Sequence, residues 1–185
     1  MAFKFKKREQ DPEAKPRKAG SPRKTRAFKY SRGAKFVLFV GDEGAILVYL
    51  KGNVVQSRQY VPDASPQHLD ELQQSFAQDT KAPVMMVVDN MDQSYVQQTL
   101  PPVSSLSVGK LIKRRLERDF GANDIKGAVL LGREKDGRKD WNFLMISLER
   151  SPQLSSWIDF VMELPNRFYG IHLVSVESEL MLQTL

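Results

Sequence analysis

Residues 36–62, FVLFVGDEGAILVYLKGNVVQSRQYVP, carry the reading that decides the fold. Three β-rich runs, 36–40, 45–50 and 53–60, are separated only by Gly41-Asp42-Glu43-Gly44 and Lys51-Gly52. Connections this short and built on glycine join antiparallel neighbours, so the stretch predicts a three-stranded meander. Pro62 to Pro66 close it, and Ser65-Pro66 places a capping residue before a proline suited to the first helical position. Leu69, Leu72, Phe76 and Ala77 then recur at helical spacing through 66–79. Pro83 opens a further strand, 84–89 (VMMVVD), whose unbroken apolar character suits a central or parallel strand buried on both faces.

Downstream the pattern continues to alternate. Residues 91–100 read as strand or loop, and Pro101-Pro102 force an extended break. Ser107 offers a cap for a helix in which Val108, Leu111, Ile112, Leu116 and Phe120 form one apolar stripe, ended by Gly121. Residues 125–131 and 141–147 read as a hairpin around a charged, glycine-flanked tip. A helix over 154–164 turns Leu154, Trp157, Ile158, Val161 and Met162 inward, a strand follows over 171–176, and 178–185 begin another helix. No apolar run approaches the roughly 20 residues that span a bilayer.

The charge divides the 185 residues unevenly. Residues 1–35 hold 13 Lys and Arg against three acidic groups, a net +10, and the remainder carries 19 acidic against 15 basic groups, a net -4. Pro12, Pro16 and Pro22 interrupt the tail and its apolar residues stand singly, so it cannot offset its ordering entropy by burial and reads as disordered. It has neither the apolar core of a secretory signal nor the acid-poor amphipathic pattern of a presequence, which suits a cytosolic chain. Lys4, Lys6, Lys7, Arg8, Arg23, Lys24 and Arg26 are its candidate contacts to anionic lipid or to nucleic-acid phosphates. Phe3, Phe5, Phe28 and Tyr30 could rest at a lipid interface or stack on bases.

The inventory argues against catalysis. With no cysteine there is no thiol nucleophile or thiolate metal site, and His68 and His172, the two histidines, have no local carboxylate cluster. Asp89, Asp92, Asp124 and Asp136 show neither EF-hand alternation nor the spacing of a paired-carboxylate catalyst. Val108-Gly109-Lys110 lacks the remaining positions of a P-loop. Two features can bind. The Asp42 and Gly44 turn can aim backbone N–H groups at a phosphate, or it is an ordinary hairpin turn. Lys110, Lys113, Arg114, Arg115 and Arg118 make a basic helix face suited to RNA or an acidic partner, or simply a solvated one.

The order of elements, with an Asp-x-Gly at the first turn, resembles the first lobe of an actin-like, ribonuclease H-like fold, and within that group the PilM and GspL-type assembly proteins. Val40-Gly41-Asp42-Glu43-Gly44 is similar to the family's opening Asp/Gly turn. Leu100-Pro101-Pro102 and the helix over 107–120 match its Leu-Pro element, residues 142–148 match the strand that ends the inserted subdomain, and Val174-Ser175-Val176-Glu177 matches its Val-x-Val-Glu segment.

The resemblance implies an α/β mixed-sheet domain over 36–185, with a small inserted subdomain at about 100–148 and the disordered basic tail before it. It implies a cytoplasmic, non-catalytic scaffold of an inner-membrane pilus or secretion platform, docking on an assembly ATPase or a membrane-subunit tail. No hydroxyl or lysine follows the Asp42 turn, and the sequence stops where a second, adenosine-binding lobe would begin. Asp42 and Gly44 are therefore expected to be a remnant phosphate turn, with no cofactor and no metal. A small RNA- or ribosome-associated protein is the alternative, weakened by the lack of an exposed aromatic RNA-binding motif.

Overall fold

The computed structural model describes residues 33–134 and 136–182. The basic-tail candidates Lys4, Lys6, Lys7, Arg8, Arg23, Lys24 and Arg26 lie outside the described residues. The meander forms as its turns dictate: β1 (Ala34–Gly41), β2 (Gly44–Lys51) and β3 (Val54–Val61) pair antiparallel, with Gly41 opposite Gly44 across the first turn. After α1 (Pro66–Ala77), β4 (Val84–Asp89) lies parallel to β1, and β8 (Phe168–Leu173) lies parallel to β4, which gives the sheet order β3-β2-β1-β4-β8. The apolar run of β4 thus has two parallel neighbours, as its composition predicts.

One face of this sheet builds the main core. Phe36, Leu38 and Val40 of β1, Leu47 and Tyr49 of β2, and Met86 and Val88 of β4 pack with Leu72 and Phe76 of α1 and with Leu154, Trp157, Ile158 and Val161 of α3 (Pro152–Glu163). Trp157 is wholly enclosed, so it is core, as the helical spacing predicts. Both helices sit on this face because each crossover between parallel strands must return over the sheet. Helix α4 (Val174–Leu182) follows β8 directly and contacts β4 and β8; its Val176 joins the main core, and its Glu177 carboxylate meets the imidazole of His172 at 2.8 Å.

Between β4 and α3 a second unit is inserted. β5 (Gln93–Leu100), β7 (Trp141–Leu148) and β6 (Ile125–Arg133) form an antiparallel sheet in that order. On one side of it lies α2 (Ser105–Asp119), whose Val108, Leu111, Ile112 and Leu116 rest against Leu100, Phe143 and Met145. The other side presents Ile125, Ile146 and Leu148 to the main core.

Several boundaries differ from the sequence expectation, each for a physical reason. The insertion begins at Gln93, since 93–100 is a full strand whose polar residues suit an edge exposed on both faces. Strand β1 starts at Ala34, so residues 34 and 35 belong to the sheet instead of the tail. Helix α2 is capped from Ser104 instead of Ser107, and α3 starts at Pro152 behind Ser151, whose hydroxyl accepts from the Leu154 amide at 3.2 Å. Residues 174–176, expected to extend the last strand, are helical, because Leu173 ends the pairing with Val88 and the chain turns onto the sheet. Met162, expected inward, is exposed one position beyond the buried stripe.

Candidate interaction surfaces

The Asp42 turn is held from behind by its own sheet and by α3. Asp42 and Glu43 form the two-residue tip, with both side chains exposed. The Glu43 carbonyl accepts from the Tyr60 hydroxyl at 2.8 Å, and the Asp42 carbonyl accepts from the Gln153 side-chain amide at 3.4 Å. Gly44 sits at φ +127, and a Cβ there would lie 2.5 Å from the Val61 carbonyl oxygen. The glycine is therefore explained by the close passage of β3, with no ligand required. Two adjacent carboxylates crown the turn, and their charge opposes an approaching phosphate.

The basic helix face is where the spacing places it. Lys110, Lys113, Arg114 and Arg118 point away from the subdomain sheet and are exposed, while Arg115 is half-buried. Lys113 pairs with Glu117 one turn on at 3.5 Å. Arg118 donates from Nε to Asp119 at 2.6 Å, and Gln98 donates to the other oxygen of the same carboxylate at 2.6 Å. Those two bonds, Arg118's first, hold the Asp119 carboxyl below its usual range. Lys110 and Arg114, also one turn apart, are left without a carboxylate among the described residues. They are the cations of this face most available to a partner.

Each histidine is paired with a carboxylate. Asp63, Ser65 and His68 gather at the start of α1, but the Asp63 carboxylate (2.7 Å) and the Ser65 hydroxyl (2.9 Å) both address His68 Nδ1. A relay needs them on opposite ring nitrogens, so this is a local cluster of the turn before α1, in which the Asp63 carboxylate also accepts from the Ser65 amide at 2.9 Å. Hydrogen bonds from Ser65 and then from His68 hold the Asp63 carboxyl at about 2. His172 is buried against Glu177, whose pKa this contact lowers. Among the described residues no group of three or more His, Cys, Asp or Glu side chains is placed to hold a metal, and no helix is long and apolar enough to cross a membrane.

One surface went unseen in the sequence. Phe39, Ile46 and Tyr60 stand in register across β1, β2 and β3, on the face away from α1 and α3, at 42%, 44% and 61% exposure. The run FVLFV is apolar throughout, so no alternation betrayed that its fourth residue faces outward. Two basic residues of the tip are otherwise engaged: the Arg133 guanidinium lies 3.5 Å over the Trp141 ring, and Arg138 grips Asp140 with two bonds.

No family model matches the sequence, and no curated protein matches it at the sequence level. Solved structures do match the fold. The cytoplasmic domain of EpsL, an inner membrane component of the type II secretion system of Vibrio cholerae, superposes with a TM-score of 0.52 over 76% of this chain and 57% of its own, at 12% identity. A PilM–PilN type IV pilus biogenesis complex gives a TM-score of 0.57 over 77% of this chain and 48% of the matched one, at 14% identity. The chain has a PilM/GspL-like actin-like fold. It spans about half the length of these structures. The mixed α/β fold is thus consistent with a partial actin-like architecture, as the order of elements implies.

Proposed function

We propose that the chain is a non-catalytic interaction module of a pilus or secretion assembly platform, acting on the cytoplasmic side of an inner membrane. The observation that carries this reading is the likeness of fold to PilM and to the EpsL cytoplasmic domain over about three quarters of the chain. The Asp42 turn supports it, because Gly44 is explained by packing and the tip carries two carboxylates. The partner is another assembly protein, either the assembly ATPase or the cytosolic tail of a membrane subunit. Lys110 and Arg114, flanked by Lys113 and Arg118, dock on an acidic surface of it. The basic residues of the N-terminal tail hold the module near anionic headgroups, each contributing about 1 kcal/mol close to the surface.

The test is co-purification from the native host with the wild-type chain and with Lys110→Glu/Arg114→Glu. The wild-type chain is expected to retain a named pilus or secretion component that the double variant loses. Recovery of RNA that survives physiological salt, with no such component, would instead favour a nucleic-acid-binding role. Tight ATP binding abolished by Asp42→Ala would contradict the remnant-turn reading.

A further inference from the structure

Helix α2 is seated less completely than α1 and α3. Helix α1 buries Leu72 and Phe76, and α3 buries Leu154, Trp157, Ile158 and Val161, whereas Val108, Leu111, Ile112 and Leu116 of the α2 stripe are all half-buried. The sheet beneath α2 is incompletely covered as well. Val96 lies opposite Met145 and Leu130 opposite Phe143, so both share the face on which α2 packs, and they remain 39% and 41% exposed. One helix over three strands therefore leaves apolar surface along its flanks.

Gly109 is an independent observation on the same helix. Glycine weakens a helix interior relative to alanine, since it loses more backbone freedom on folding. It is needed where another backbone passes close, as at Gly44, yet a Cβ on Gly109 would meet no atom within 4 Å. Nothing among the described residues requires this glycine, and the space above it is open to another chain. At about 100° per residue, Gly109 and Lys113 lie on the helix surface between two groups, Lys110 with Arg114 on one side and Ile112 with Leu116 on the other. The two acidic residues of α2, Glu117 and Asp119, pair with Lys113 and Arg118, and Lys110 and Arg114 have no carboxylate among the described residues.

We propose that this surface receives an amphipathic helix of the partner protein that carries acidic residues along one side. Its closest approach is at Gly109, its carboxylates meet Lys110 and Arg114, and its apolar residues cover the open flank of Ile112 and Leu116. A helix fits because carboxylates three or four residues apart match the one-turn spacing of the two cations, while its apolar stripe falls on the neighbouring strip of α2. The long basic side chains reach over the notch with their charged ends still in water. This inference rests on the reading of the chain as an assembly module and names the kind of partner segment that module takes.

The test compares the full chain, expressed in the native host at equal abundance, as wild type, Gly109→Ala, Gly109→Gln and Lys110→Glu/Arg114→Glu. It reads the amount of each pilus or secretion component co-purified, the Tm of each purified protein, and carbodiimide cross-links, which join a lysine amine directly to a carboxylate in contact. Gly109→Ala is expected to raise Tm by about 2–4 °C through helix propensity and yet to lower retention several-fold. Gly109→Gln, with a Tm no lower than wild type, should lower retention about tenfold or more, because its side chain fills the notch. In the wild type, cross-links should join Lys110 or Lys113 to Asp or Glu residues three or four apart in one helical segment of the retained component. A component lost by the charge variant but fully retained by both Gly109 variants overturns this inference and leaves the assembly reading standing, as do cross-links to carboxylates in an extended segment. A wild-type chain that retains no assembly component, or retains RNA in its place, overturns both.

Discussion

At the residue scale, the sharpest sequence-to-structure link is Gly44. Its φ of +127 and the 2.5 Å approach of the Val61 carbonyl leave no room for a side chain, so Gly44→Ala is expected to cost on the order of 1–3 kcal/mol in chemical denaturation. Asp42→Ala, at the exposed tip, should leave stability within about 0.5 kcal/mol. A phosphate-binding role for the turn would show the opposite ordering in any ligand-dependent shift of Tm. Asp63 supplies a pH test. Its carboxyl is held at about 2, below the usual 3.8, so its stabilising contribution is complete above the unfolded value and is lost as pH falls through the folded one. Asp63→Asn should therefore flatten the stability profile between about pH 4 and pH 2 and change its slope little near neutrality, as read from urea midpoints. These roles were only partly legible. The Asp-x-Gly pattern announced a turn, but not that Val61 and Tyr60 would close in behind it, which is a long-range contact no local pattern encodes.

At the element scale, Ser-Pro marks both helix starts on the main sheet, yet the caps work differently. Ser151 caps α3 through its hydroxyl, and Ser151→Ala should cost about 1 kcal/mol, measurable as a shift in the denaturation midpoint. Ser65 makes no such bond and turns its hydroxyl to His68 instead, so Ser65→Ala should act chiefly through the Asp63 cluster, visible as a rise in the Asp63 pKa. The same dipeptide at 151–152 signalled the true start of α3, ahead of the first apolar residue. Periodicity served well where a single face is buried, as in α1 and α2, and also for β4, whose two parallel neighbours its continuous apolar run foretold. It failed at β5, because an edge strand with both faces exposed has no apolar alternation to read. It failed again at 174–176, where β-branched residues favour a strand but the pairing with β4 ends at Leu173 and the chain continues as helix.

At the scale of the whole molecule, charge separates what the fold joins. The inserted unit, 93–148, carries ten basic and six acidic groups, a net +4, on a main body of net -8. Two surfaces of opposite sign can therefore engage different partners, and both contacts weaken as salt rises. The overall order of strands and helices was legible because each connection is short and each helix amphipathic. The second sheet's relation to the first was not, since it depends on Ile125, Ile146 and Leu148 reaching a core whose other members come from both sides of the insertion, Phe36 to Val88 and Leu154 to Val176. The central claim is that this actin-like module works by docking through its basic helix. Its most direct test is cross-linking in native cells, comparing the wild-type chain with Lys110→Glu/Arg114→Glu at equal abundance and equal thermal stability. The account predicts cross-links from α2 to a pilus or secretion assembly protein that disappear in the variant; identical cross-links in both, or none to any assembly component, would contradict it.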